Sequence, residues 1–184
     1  MTNWQAPFEQ LSTGDAFTSR GRTITETDVV QFAALTGDFH PLHTDAVFAA
    51  NGPFGERIAH GMLTISYAVG LVPLDPRRVL ALRRITDVVF KRPVHLGDTI
   101  HVEGTITRLA PLTEQAGLVT FSWRVRDAAD RLLTRASIEV LWATNVVVAP
   151  ASEAEPAPEP ERTAEPAVFG QELHPAGSFV PVPL

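Results

Sequence analysis

Ala59-His60-Gly61-Met62-Leu63-Thr64-Ile65-Ser66-Tyr67-Ala68-Val69-Gly70-Leu71-Val72 is the stretch whose reading decides the fold. It reads as the longest apolar helix of the chain, and Pro73 stops it. Its apolar residues fall nearly all round the axis, which predicts a buried helix rather than a surface one. The sequence beyond is rich in β-branched and aromatic residues, and 83–90, 99–109, 117–126 and 132–148 read as strands. Gly97-Asp98, Leu109-Ala110-Pro111 and Asp127-Ala128-Ala129-Asp130 part them as turns. One buried helix followed by consecutive antiparallel strands predicts an α+β domain, with the sheet wrapped around the helix.

Upstream, 15–24 alternates loosely and reads as a strand or strand pair. Thr25-Glu26-Thr27-Asp28 has the form of a capping box, and Val29, Val30, Phe32, Ala33 and Leu35 supply a helical stripe. Gly37 is placed to end that helix. Residues 46–50 read as further helical turns and 51–55 as a loop. The globular body is expected over 1–148. Residues 149–184 form a tail whose Pro/Ala/Glu-rich part, 150–166, predicts a largely extended or disordered linker.

The chain has 184 residues, 45% apolar and 20% charged, which suits one domain with a sizeable core. A net charge of −6 argues against a general nucleic-acid binder. The absence of cysteine excludes disulfides, thiolate metal sites and a cysteine nucleophile. No apolar run reaches the roughly 18 residues of a membrane span, and Met1 to Ser19 lacks a signal peptide's pattern. The expectation is a cytoplasmic protein without membrane association.

Chemistry concentrates in Thr36-Gly37-Asp38-Phe39-His40-Pro41-Leu42-His43, where a carboxylate and an imidazole flank a turn. Such a pair can hold a water and move its proton. Seventeen residues after His43, His60-Gly61 opens the apolar helix, with Ser66 behind it. Backbone N–H groups at a helix start stabilise a developing oxyanion, and Gly61 lets a carbonyl approach closely because it has no Cβ. Each residue also has a structural role open to it. Asp38 can cap the turn, Gly61 can serve tight packing, His60 can be a packing residue, and Ser66 can bond back to its own helix. His95 and His101 lack a matched ligand set, so no metal is expected. No phosphate loop or nucleophile elbow is present. Arg77, Arg78, Arg83, Arg84, Lys91 and Arg92 gather positive charge suited to the phosphates of a carrier.

These blocks resemble the MaoC-like (hydratase 2) branch of the hot-dog fold, which includes (R)-specific enoyl-CoA hydratases. Phe32 to His43 matches the family's aromatic, Thr/Ser-Gly-Asp-x-Asn-Pro-aliphatic-His pattern, with Ala49 in the later small position. Ile58-Ala59-His60-Gly61-Met62-Leu63 matches a second block, and Phe90, Pro93-Val94 and Gly97-Asp98-Thr99 echo a third. The resemblance covers roughly residues 10 to 148. It implies a hot-dog fold and reversible syn hydration of a trans-2-enoyl thioester to the (R)-3-hydroxyacyl form. By resemblance Asp38 and His43 hold the water, Gly61 polarises the carbonyl, and Ser66, His60 and His40 lie on the substrate side. His40 stands where the family has an Asn thought to order the loop. The implied substrate is an acyl-CoA or acyl-carrier-protein thioester, with no cofactor, acted on by a homodimer or higher homo-oligomer. A hot-dog thioesterase and a non-catalytic acyl-binding or partner subunit are the alternatives.

Overall fold

The computed structural model describes residues 4–145, so the tail expected over 149–184 lies outside the described residues. A short 3-10 turn, Phe8–Gln10, precedes β1 (Ala16–Thr18) and β2 (Arg22–Thr23). Helices α1 (Glu26–Thr36), α2 (Pro41–Thr44), α3 (Ala46–Ala50) and α4 (Gly61–Leu71) follow. The chain then runs through β3 (Val79–Phe90), β4 (Thr99–Pro111), β5 (Ala116–Asp127) and β6 (Leu132–Ala143).

The capping box forms as expected. The Asp28 N–H donates to Thr25 Oγ1 at 3.3 Å, and Asp28 Oδ2 accepts from the Thr25 N–H at 2.7 Å. Gly37, at φ 78°, ends α1 in the left-handed conformation that a residue without Cβ adopts freely. The predicted strand pair over 15–24 is β1 and β2, both on β4.

All strand pairs are antiparallel, in the order β1-β4-β5-β6-β3. Alternate residues of β4, β5 and β6 point to one buried face, where Ile100, Val102, Val119, Phe121, Ile138 and Val140 meet Leu63, Ile65 and Ala68 of α4. This sheet wrapped on a helix is the hot-dog architecture. Trp4 packs on Phe17 at 5.4 Å, and Trp142 Nε1 donates to the Ala6 carbonyl at 3.0 Å. The N-terminal segment thereby joins the core.

The structure corrects several expectations. Helix α4 is not buried all round: Leu63, Thr64, Ile65, Ala68 and Leu71 are buried, but Met62 is 58% exposed. In α1 only Val29 and Ala33 are buried, and Leu35 is 83% exposed. One sheet can cover only one face of each helix. β4 runs through the expected turn to Pro111, where a missing N–H at a strand's last residue costs little. β3 begins earlier than expected, at Val79, and β6 ends at Ala143. Among the described residues β3 pairs only with β6, leaving an edge broken by three register shifts. Asp87 there adopts φ 53°, and Leu80, Leu82 and Phe90 are exposed.

Candidate active site

Between α1 and α2 the chain is held by its own polar side chains. The Asp38 N–H donates to Thr36 Oγ1 at 3.3 Å, and the His40 N–H to Asp38 Oδ1 at 3.3 Å. His40 is the N-cap of α2: its Nδ1 accepts from the Leu42 N–H at 3.1 Å, with Pro41 in the first helical position. Thr44 Oγ1 donates to the Phe39 carbonyl at 3.1 Å. This turn delivers His43 one residue before the end of α2.

The ring of His43 is fixed from behind. A carbonyl can only accept, so Nδ1 carries the proton and donates to the Ile58 carbonyl at 2.7 Å. Nε2 is then the lone-pair nitrogen of the neutral ring. Burial, the largest influence, pushes the imidazole below its ordinary pKa. His60 and His40 push the same way, against the Ile58 hydrogen bond and Asp38, which favour the charged form. A neutral His43 that can accept a proton follows.

His60 is 2% exposed and immediately precedes α4. Its ring stacks on His43 at 3.8 Å between centroids and lies 5.1 Å from Phe32. Its Nε2 donates to the Asp38 backbone carbonyl at 3.0 Å, and its buried Nδ1 has no partner among the described residues. One polar atom each of Asp38, His43 and His60 falls within 4.8 Å of the others, compact enough to surround a water or a cation.

These three residues and Gly61 line a cavity of about 510 Å³, with Phe32, Phe54, Phe90, Val94 and Thr134 among its walls. His60 makes no side-chain cap, so the first N–H groups of α4 are left for another acceptor. A Cβ on Gly61 would lie 2.7 Å from the Phe90 ring, so close packing requires glycine here. The structure thus brings together Asp38, His43, His60 and Gly61.

Two expected substrate residues do not line this cavity, although the His40 ring lies 6.2 Å from that of His43. Ser66 is exposed and donates to the Met62 carbonyl at 2.8 Å, the back-bonding alternative. Neither it nor His40 lines the cavity. Sequence reasoning overlooked Thr134 and the Ile58 carbonyl. Thr134 Oγ1 is buried without a partner among the described residues. Thr134 carries no spacing signal, because strand register brings it to the site, and the block that contains Ile58 does not say that its carbonyl holds His43.

The expected basic group divides. Arg83 and Arg84 pair with Glu139, Arg77 with Asp75, and Arg78 holds the Gln5 and Thr144 carbonyls. Lys91 and Arg92 line the cavity, Arg92 also donating to the Leu132 carbonyl at 2.7 Å. His95 Nδ1 lies 3.0 Å from a Glu56 carboxylate oxygen. His101, Glu103 and Asp130 cluster as well, but Arg126 bonds Glu103 at 2.7 Å and lies 3.6 Å from Asp130. No described helix is long and apolar enough to cross a membrane.

A family model described as MaoC like domain matches residues 9–124. Protein MaoC of Klebsiella aerogenes is 43% identical over 102 residues, 55% of this chain and 30% of that protein. An (R)-specific enoyl-CoA hydratase of Rhodospirillum rubrum is 34% identical over 104 residues, 56% of this chain and 72% of that enzyme. The unliganded R-hydratase structure from Pseudomonas aeruginosa superposes with a TM-score of 0.62 at 32% identity. That superposition covers 81% of this chain and 95% of the hydratase. The matched region is thus less than a third of the Klebsiella protein's length.

Proposed function

The chain belongs to the family of MaoC-like domains, and from that premise we propose that it hydrates a trans-2-enoyl thioester to the (R)-3-hydroxyacyl thioester, reversibly and with syn geometry. The observation that carries this reading is the convergence of Asp38, neutral His43 and the uncapped start of α4 on one cavity.

Asp38 accepts one hydrogen of a bound water and orients it. As the water oxygen bonds to the β-carbon, His43 Nε2 takes the other proton. The α,β π-electrons shift toward the thioester, and negative charge gathers on its oxygen. The Gly61 N–H, reinforced by the α4 dipole, stabilises that charge. His43 then returns its proton to the α-carbon. One water is consumed, its hydroxyl and its proton both arriving on the face where His43 and Asp38 sit. The reaction calls for no cofactor beyond water and the thioester carrier. Lys91 and Arg92 supply positive charge for the carrier's phosphate.

The active form in this reading is a homodimer. β3 is an unfilled edge among the described residues, Leu80, Leu82, Phe90 and Met62 are exposed, and a second copy would cover them. Light scattering at micromolar concentration should give twice the chain mass, and a monomer alone would contradict the dimer.

The test of the activity is the loss of conjugated-enoyl absorbance with crotonyl-CoA and longer enoyl-CoAs, alongside a free-thiol assay. Hydration without thiol release is expected. Thiol release would point to a thioesterase, and acyl-CoA binding without turnover to a non-catalytic subunit.

A further inference from the structure

We infer that His60 is a positioning residue that ties together the three parts of the site, holding the Asp38 turn, setting the plane of the His43 ring and leading directly into the N–H groups of α4. The inference rests on the hydratase reading for the meaning of those parts. Its geometry stands independently.

Three contacts carry it. The Nε2–H···O=C bond to Asp38 at 3.0 Å spans 22 residues and joins the residue before α4 to the Asp38 turn. The two imidazole planes lie 29° apart at 3.8 Å, so His43, with Nδ1 held by Ile58, has little freedom to tilt. Phe32 of α1 also meets the His60 ring, at 5.1 Å between centroids. Peptide linkage to Gly61 makes any shift of His60 a shift of the amide that would meet the thioester oxygen. The ring is almost wholly buried, and its Nδ1 makes no hydrogen bond among the described residues. Its Nε2 is engaged by the Asp38 carbonyl and its ring face by His43, so it acts through those two residues. Reacting groups displaced by about 1 Å can lose on the order of 100-fold in rate, so a single buried brace has a large effect.

The two functions of the ring can be separated. In His60→Gln the amide nitrogen stands in for Nε2 and keeps a donor for the Asp38 carbonyl, but the stacked ring is gone. In His60→Phe the ring face remains and the donor is lost. The titratable groups acting on His43 are His60, Asp38 and His40. Phe32, from the α1 side, is uncharged, and Lys91 and Arg92 line the same cavity unchanged in both variants. Removing the second imidazole removes one of the influences that disfavour His43's protonated form.

The experiment measures kcat and KM with crotonyl-CoA and, separately, the NMR titration of the His43 ring in wild type and both variants. His60→Phe should lose roughly 10- to 100-fold in kcat, with KM changed less than about threefold. His60→Gln, which keeps the bond to the Asp38 carbonyl but loses the stack, should have a kcat between those of His60→Phe and wild type and should move the His43 titration to higher pH. The inference is overturned by a kcat for His60→Phe within about twofold of wild type, or by a His43 titration unmoved in His60→Gln. An equal loss in both variants at every pH overturns it too, marking His60 as packing alone. If His60→Phe does not fold, His60→Gln decides: a kcat loss with KM nearly unchanged supports the inference, and a kcat within about twofold of wild type overturns it. A wild type inert toward every enoyl-CoA overturns the hydratase reading; a His43 Nδ1–H NMR signal displaced in both variants then leaves the positioning role standing, and an unmoved one overturns it.

Discussion

Among the described residues the two longest helices, α1 and α4, have eleven residues each and begin in opposite ways. At α1 the donors and acceptors of the start are closed on one another. Thr25 and Asp28 cap reciprocally, Tyr67 donates to Asp28 at 2.6 Å, and Arg22 pairs with Asp28 at 3.0 Å while lying 3.7 Å over the Tyr67 ring. Burial alone would raise the Asp28 carboxyl, but hydrogen bonds from Thr25, Tyr67 and Arg22 outweigh it and hold the group well below the usual carboxylate range. At α4 the N-cap is a histidine with no cap bond, and the first N–H groups face a cavity shared with Asp38 and His43. A satisfied helix start stabilises the fold, whereas an unsatisfied one keeps its dipole for a ligand.

The largest expected effect breaks the comparison on the α4 side. Asp38→Asn or His43→Ala should lower kcat for enoyl-CoA hydration by about 10²- to 10⁴-fold, with little change in the thermal midpoint. Because His43 works as an unprotonated base and its pKa is lowered, wild-type activity should fall on the acid side below the ordinary histidine value. A pH–rate profile with its acid limb above that value would contradict the assignment.

Next in size is Asp28→Asn, which should cost about 2 kcal/mol of stability at neutral pH while leaving kcat unchanged. The sign follows from the depressed carboxyl. Its contribution is complete above the unfolded pKa of about 4 and is lost as pH falls through it toward the folded value. Urea unfolding at several pH values should show the gap between wild type and variant closing in acid.

Gly61→Ala should lower kcat/KM about tenfold, because the new Cβ meets Phe90 and displaces the ring or the helix start. Adding Phe90→Leu should restore stability if crowding is the cause. The smallest effect is at the turn. His40→Asn should leave activity near wild type, since an Asn oxygen can cap Leu42 as His40 Nδ1 does. His40→Ala should cost about 1 kcal/mol, read from thermal melts.

The closed start was legible in the sequence and the open one only in part. Thr25 and Asp28 stand at capping-box spacing, and Gly37 marks the end of α1, because these are local interactions between near neighbours. The strands announced themselves by composition, and Asp38, His43 and Gly61 by motif. Exposure of Val30, Leu35 and Met62 was not legible, since an apolar stripe does not say whether the sheet or another surface covers it. Nor was the His60 bond to the Asp38 carbonyl, because a side chain meeting a distant backbone atom leaves no periodicity. Ser66 shows the converse: a residue singled out by resemblance whose hydroxyl bonds its own helix. The replacement of the family Asn by His40 proved interpretable once the Nδ1 cap was seen.

The most direct test of the central claim is hydration of an enoyl-CoA in D2O, with the product's configuration read by NMR. Asp38 and His43 acting from one face should give the (3R)-hydroxyacyl thioester with deuterium at C2 added syn to the hydroxyl, and no released thiol. An anti or (3S) product, or thiol release without hydration, would contradict it.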